Sequence, residues 1–269
     1  MRTAVDTATC KVGLKLWSSN AFYIKSATDL YDDGVFDYVE LYVVAGSVES
    51  SLEQWKRTKF PFILHAPHAY GGLNFSLKEC AAGNRTLIGE VGAFHSALDP
   101  KMVIFHPGIQ GSIEETIRQI QMFKKEFPDI FKSAVLENKP KLGLKDEICV
   151  GASAEEMKRI LEETKLGFCL DIGHAICYSA WKKAAYEGVL DEFMKLRPRI
   201  FHLSDGDVNS PTDMHSNFGK GNFELDAIVP RIPAGAYVSI ETEKKPGSNL
   251  TDFQADVAYL RDVYRRIKA

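Results

Sequence analysis

The sequence is short of the features that mark several common protein classes. Its five cysteines, Cys10, Cys80, Cys149, Cys169 and Cys177, are odd in number, widely spaced and never arranged as C-x-x-C. That pattern suggests neither a disulfide framework nor a thiolate zinc site. No apolar run approaches the roughly 18 to 20 residues of a transmembrane helix, and the start, Met1-Arg2-Thr3-Ala4-Val5-Asp6, lacks a signal-peptide core. A cytoplasmic protein without a membrane partner is expected. There is no excess of positive charge either. The formal net charge is −3, so affinity for a polyanion would have to come from local groups. Internal repeats and low-complexity linkers are also missing, and no Gly-x-Gly-x-x-Gly follows the first β-rich run, which argues against a dinucleotide-binding fold.

What the chain does have is alternation. Eight short β-rich runs, Val12 to Trp17, Tyr38 to Val43, Phe62 to Ala66, Met102 to Pro107, Ala134 to Asn138, Gly167 to Ile172, Ile200 to Ser204 and Tyr237 to Thr242, are separated by segments of amphipathic helical spacing. Two of those segments, Ser112 to Phe127 and Ser153 to Leu161, open on capping boxes, Ser112-x-x-Glu115 and Ser153-x-x-Glu156. Eight strand-helix units in 269 residues with 45% hydrophobic content predict an α/β fold, a (β/α)8 TIM barrel built as one domain over 1–269.

In such a barrel the active site is built from the residues that end each strand. Here the bias is strong. His65-Ala66-Pro67-His68 ends the third run, His106-Pro107-Gly108 the fourth, Glu137-Asn138 the fifth and Asp171-Ile172-Gly173-His174 the sixth. The seventh carries His202-Leu203-Ser204-Asp205 with Asp213-Met214-His215 in its loop, and the eighth ends in Glu241-Thr242-Glu243. Only His95 of the seven histidines falls elsewhere, in a helical segment. Taken singly, a strand-end histidine is more often a hydrogen-bonding group than a ligand. Across six consecutive strands, however, carboxylates that converge without cations would repel one another. Imidazole with carboxylate suits Zn²⁺, Mn²⁺ or Fe²⁺, so a catalytic metal site is expected.

These segments, together with Phe105-His106-Pro107-Gly108, Leu136-Glu137-Asn138, Cys169-Leu170-Asp171 and Gly219-Lys220-Gly221, resemble the endonuclease IV family of the xylose isomerase-like barrels. The resemblance runs from about His65 to Glu241. It implies three zinc ions, with Mn²⁺ as a substitute. One would be held by His65, His106 and Glu137, and a second by Glu137, Asp171, His202 and Glu241. A third would sit among His174, Asp213 and His215. It also implies a phosphodiester hydrolase in which Glu137 bridges two ions. The implied substrate is an abasic site in duplex DNA, cut on its 5′ side with the damaged nucleotide flipped out.

Tyr70, Asn74, Lys139 and Lys220 are the expected substrate contacts, with Lys141, Lys145, Lys244 and Lys245 as further phosphate contacts, and Tyr70, Leu73 and Phe75 as wedges for an opened base stack. The substrate-side loops depart from the family. The first strand runs into Lys15-Leu16-Trp17-Ser18-Ser19-Asn20, the second, Val39-Glu40-Leu41-Tyr42, is similar to sugar isomerases and epimerases, and Glu137 is followed by Asn138-Lys139-Pro140. The rival expectation is therefore a sugar isomerase or epimerase. It would act on a small sugar with one ion held by Glu137, Asp171, His202 and Glu241, and with His174 facing the substrate. A non-catalytic barrel would be expected to have lost ligands. A monomer is expected in either case.

Overall fold

A computed structural model describes residues 10–245 and 249–268. All eight expected strands form, as β1 Lys11–Trp17, β2 Tyr38–Tyr42, β3 Phe62–His65, β4 Val103–Phe105, β5 Ala134–Glu137, β6 Gly167–Asp171, β7 Ile200–Leu203 and β8 Tyr237–Ile240. They are parallel and close into a barrel in the order of the chain, with β8 pairing back onto β1 through Leu14↔Ile240. The structure ends several strands one or two residues earlier than the sequence pattern does. Residues such as Pro107, Asn138 and Thr242 turn out of the ladder to begin the loops.

Two apolar layers hold the barrel. The larger lies between strands and helices. It takes in Leu14, Leu41, Leu64, Phe105, Leu136, Leu170 and Phe201 from the outward faces of the strands, and Trp55, Phe94, Phe123, Phe193 and Phe253 from the helices. The smaller fills the barrel interior with Tyr38, Ile63, Met102, Ile104, Val135, Cys169 and Ile200. Gly13 belongs to this inner layer for a steric reason, since a Cβ there would collide with the Tyr38 ring that crosses the barrel. The inner plug closes the lower half of the barrel. The next inward-facing residues up each strand are therefore left at the upper mouth.

The helices start where the sequence says they should. Ser112 and Ser153 each accept the backbone N–H three residues on, at 3.1 Å, capping helices Ile113–Glu126 and Ala154–Thr164. The Asp171 carboxylate does the same for Ile172–Lys182, accepting from the His174 amide at 2.6 Å. That cap makes Asp171 both the end of β6 and the start of a helix, which brings His174 back over the strand end. The loops after β4 and β5 join in a short antiparallel ladder, Gly108–Ile109 with Cys149–Val150, that walls one side of the mouth. No helix among the described residues is long and apolar enough to cross a membrane.

Candidate metal centre

The upper mouth gathers nine donor residues into one cluster, seven of them buried and Asp213 and His215 at its open edge. Glu137 is its hub. Its Oε2 lies 3.1 Å from His65 Nε2, 2.9 Å from His106 Nε2 and 3.2 Å from His202 Nδ1, and its Oε1 lies 3.3 Å from His174 Nδ1. His202 Nδ1 also faces Glu241 at 2.8 Å and Asp171 at 3.9 Å. On the other side of Glu137, His174 Nε2 lies 3.4 Å from Asp213, which in turn touches His215. Donor atoms within a single ion's reach group as His65, His106 and Glu137, as Glu137, Asp171 and His174, and as His174, Asp213 and His215, while His202 groups with Glu40, His65 and Glu241, or with Glu137 and Cys169, rather than with Asp171. His68 joins none of these groups among the described residues.

Secondary hydrogen bonds settle which ring nitrogen is presented. A carbonyl oxygen only accepts, so His65 Nδ1, 2.8 Å from the Ala66 carbonyl, carries a proton and leaves Nε2 free toward Glu137. His174 Nδ1 likewise donates to the Asn138 carbonyl at 2.8 Å, leaving Nε2 for Asp213. Asn138 itself is clamped across to β6, accepting from the Asp171 amide at 2.8 Å and donating to the Asp171 carbonyl at 2.9 Å. Such outer partners fix imidazole orientation in metal sites. The loop bearing Asp213 and His215 is held by Asp205, whose two carboxylate oxygens accept from the amides of Gly206, Gly219, Gly221 and Phe223 at 2.8 to 3.1 Å. His215 adopts a left-handed backbone conformation, φ 49°, to reach the cluster.

The donors fit a divalent ion. His106 Nε2 and His202 Nδ1 are buried and have no hydrogen-bond partner although carboxylate oxygens lie close by, so these nitrogens and oxygens are aimed at shared points rather than at each other. Charge says the same. Glu40, Glu137, Asp171 and Glu241 are buried, Asp213 is nearly so, and Lys15 is the cation among them. Burial opposes the charge on His174, yet Asp171, Asp213 and Glu137 push it up to about 10, as a proton standing where positive charge is wanted. Burial likewise opposes ionisation of Glu137, but His106 and His202 hold it well below the carboxylate range. Cys169 sits beside His202 with its thiol pushed up to about 12 by burial, which leaves an imidazole and carboxylate donor set.

Above this floor opens a cavity of about 610 Å³. Its walls include Trp17, Phe22, Tyr42, Tyr70 and Leu144, and its cations are Lys15, Lys139 and Lys244. Trp17, Phe22 and Leu144 are 51, 63 and 77% exposed, an apolar rim open to solvent. His68 also lines the cavity, held neutral at about 3 by burial and by Lys139 and His65. Lys244 is half-buried, pushed down to about 8 by burial against the pull of Asp256.

Of the expected substrate contacts, the structure brings Tyr70 and Lys139 to the cavity and not the other two. Asn74 is buried, with its side chain spent on Ser76 and Ile109 to shape the loop, and Lys220 is exposed away from the cavity lining. Leu73 and Phe75 are fully buried, so they pack the loop onto the barrel and are not wedges. Tyr70 is tied to the opposite loop, donating to Glu147 at 2.6 Å and accepting from the Leu144 amide at 2.8 Å. Lys244 reaches the cavity as expected, but Lys141, which pairs with Glu156 at 3.4 Å, Lys145 and Lys245 do not line it.

Sequence reasoning passed over Glu40 and Lys15 as site residues. A charged residue inside each of two otherwise apolar strands was the available signal, because burying it requires a partner.

A family model described as xylose isomerase-like TIM barrel matches residues 31–263. The chain belongs to that family. Among curated relatives, a probable endonuclease 4 of Aquifex aeolicus is 24% identical over 240 residues, 81% of each chain. One from Mycobacterium leprae is 33% identical over 111 residues, 38% of this chain, and that match spans 39% of the relative's length. Solved structures with the same barrel include a D-tagatose 3-epimerase-like protein, at TM-score 0.68 and 19% identity over 96% of this chain and 98% of its own. They also include endonuclease IV from Thermus thermophilus, at TM-score 0.65 and 19% identity over 94% of this chain and 99% of its own. At these identities the solved structures establish the fold alone.

Proposed function

We propose that this xylose isomerase-like barrel is a metal-dependent phosphodiester hydrolase that incises DNA at abasic sites. The observation that carries the reading is the group His174, Asp213 and His215. A single-ion sugar isomerase would be complete with Glu137, Asp171, His202 and Glu241, whereas this chain adds a further donor group on a loop built for the purpose by Asp205. His65 and His106 add another beside Glu137. The two relatives described as probable endonuclease 4 support the same choice.

In this reading His65, His106 and Glu137 would hold one ion, Glu137, Asp171, His202 and Glu241 would hold a second, and His174, Asp213 and His215 would hold a third. Divalent ions at such a centre supply Lewis acidity, lowering the pKa of a water and neutralising the phosphate. The chain's own side chains supply the rest. Lys15, Lys139 and Lys244 place positive charge along the cavity, neutral His68 offers a ring nitrogen, and Trp17, Tyr42 and Tyr70 supply aromatic walls above the floor.

A specific observation favours a second reading, a sugar isomerase or epimerase. The loops that follow the strand ends, residues 18–23, 43–47, 66–80, 106–112, 138–153, 204–224 and 241–250, contain no arginine. Of the lysines in those loops only Lys139 and Lys244 line the cavity, and an apolar rim without a guanidinium fork suits a small substrate better than a phosphate backbone. One assay separates the two. Metal-loaded protein is incubated with a duplex carrying one abasic site, with and without chelator. Chelator-sensitive incision supports the hydrolase, and no incision by fully loaded protein that interconverts ketose and aldose sugars establishes the isomerase in its place.

A further inference from the structure

Beneath the donor cluster lies a chain of polar groups that neither functional reading uses. Glu40 on β2 and His202 on β7 are both completely buried, and His202 Nε2 lies 2.9 Å from Glu40 Oε2. The same oxygen accepts from the Ser239 hydroxyl on β8, and because a carboxylate only accepts, Ser239 must donate to it. Tyr38 then donates to Ser239 Oγ at 3.0 Å, completing a line across the barrel interior. The other carboxylate oxygen, Oε1, faces Lys15 Nζ at 3.2 Å.

This arrangement has a consequence for His202. Only Nε2 meets hydrogen-bond geometry with a carboxylate, so its proton belongs there, and Nδ1, whose neighbouring carboxylates lie off the line of any N–H, is left with the lone pair. Nδ1 is the buried nitrogen without a hydrogen-bond partner, turned toward Glu241 at 2.8 Å and Glu137 at 3.2 Å. We propose that Glu40 is a positioning residue that selects Nδ1 of His202 as the metal-ligating nitrogen and fixes the orientation of that ring. The opposite tautomer would set a lone pair against the Glu40 carboxylate in a dry interior, where such contacts are costly. Ser239 holds Glu40 in place while the Lys15 ammonium, hydrogen-bonded to Glu241, adds positive charge beside it, and the absence of a side chain at Gly13 makes room for the Tyr38 ring that ends the line of donors. The inference concerns how an ion is held, so it stands whichever substrate the barrel takes.

Wild-type protein labelled with ¹⁵N-histidine and loaded with ¹¹³Cd²⁺ alone gives the direct test. The expected spectrum shows ¹¹³Cd coupling at His202 Nδ1 and a proton retained on Nε2. Coupling at Nε2 would overturn the proposal. The variant Glu40→Gln is expected to keep its circular dichroism while losing about 10- to 100-fold in affinity for the metal bound at His202, measured by competition with a chelator. A folded variant with unchanged affinity would also overturn it. Where the variant does not fold, the wild-type spectrum decides alone.

Discussion

The floor of the cavity and its mouth are built on opposite terms. The floor is largely buried, is made mostly of residues at or just after strand ends, and has several of its donors oriented by a second group: His65 by the Ala66 carbonyl, His174 by Asn138, His202 by Glu40 and the Asp213 loop by Asp205. The mouth is made mostly of loop residues, with Trp17, Phe22 and Leu144 exposed and with Tyr70 and Tyr23 tied across to Glu147 and the Lys245 carbonyl. In the proposed reading the floor would set the chemistry, through the ions its donors hold, while the mouth would set what is admitted. The two give different hints here. The donor set favours a phosphodiester, and the arginine-free rim favours a small molecule.

Perturbing the floor should have the largest effect. Glu137→Gln is expected to abolish turnover while circular dichroism stays that of a folded barrel, because Glu137 touches four of the histidines. Retained turnover would remove Glu137 from the chemistry. Asp205→Ala strips the acceptor from four amides, and should cost about 3 kcal/mol in chemical denaturation, since each unmade bond to a buried charged group is worth roughly 1.5–3 kcal/mol and the loop can relax to water. It should also lose the ion held by His174, Asp213 and His215, and an unchanged metal content in that variant would show that the loop needs no such clamp.

Changes at the mouth should be milder and of another kind. Trp17→Ala and Leu144→Ala are expected to raise KM with metal content unchanged and stability within about 0.5 kcal/mol of wild type, as for surface positions generally. A fall in metal content would dissolve the division between floor and mouth.

Lys244 sits between the two regions and gives the smallest effect. Its pKa is near 8 in the fold and near 10.5 when unfolded, so the unfolded chain binds the proton more tightly and stability rises as pH climbs from about 8 to 10.5. Lys244→Met should be more stable than wild type below pH 8 by about 1 kcal/mol, allowing for partial exposure, with the gap closing toward pH 10.5. Denaturation at about pH 7 and about pH 10 checks this, and a gap of constant size would contradict it.

Most of the floor was legible in the sequence because strand alternation and strand-end chemistry are both local signals. The pattern His65, His106, Glu137, Asp171, His202 and Glu241 needed only the knowledge that parallel strands end on one side. Glu40 and Lys15 were less legible. They lie within strands, at Lys15↔Glu40 in the register of β1 and β2, and only closure of the barrel turns them toward His202 and Glu241. The loops were harder still. Leu73, Asn74 and Phe75 sit beside Gly71 and Gly72 in a segment that reads as an exposed loop, yet Asn84 and Gln119 from two helices draw it into the core. Such burial depends on contacts distant in sequence, which composition does not reveal.

The central claim is that three donor groups each hold an ion. Elemental analysis of zinc-saturated wild-type protein beside a His174→Ala, His215→Ala double variant tests it most directly. The account predicts three ions per chain in the wild type and two in the variant, with the fold intact in both. A single ion in each would contradict it, and would reduce His174, Asp213 and His215 to a hydrogen-bonded cluster above a mononuclear site.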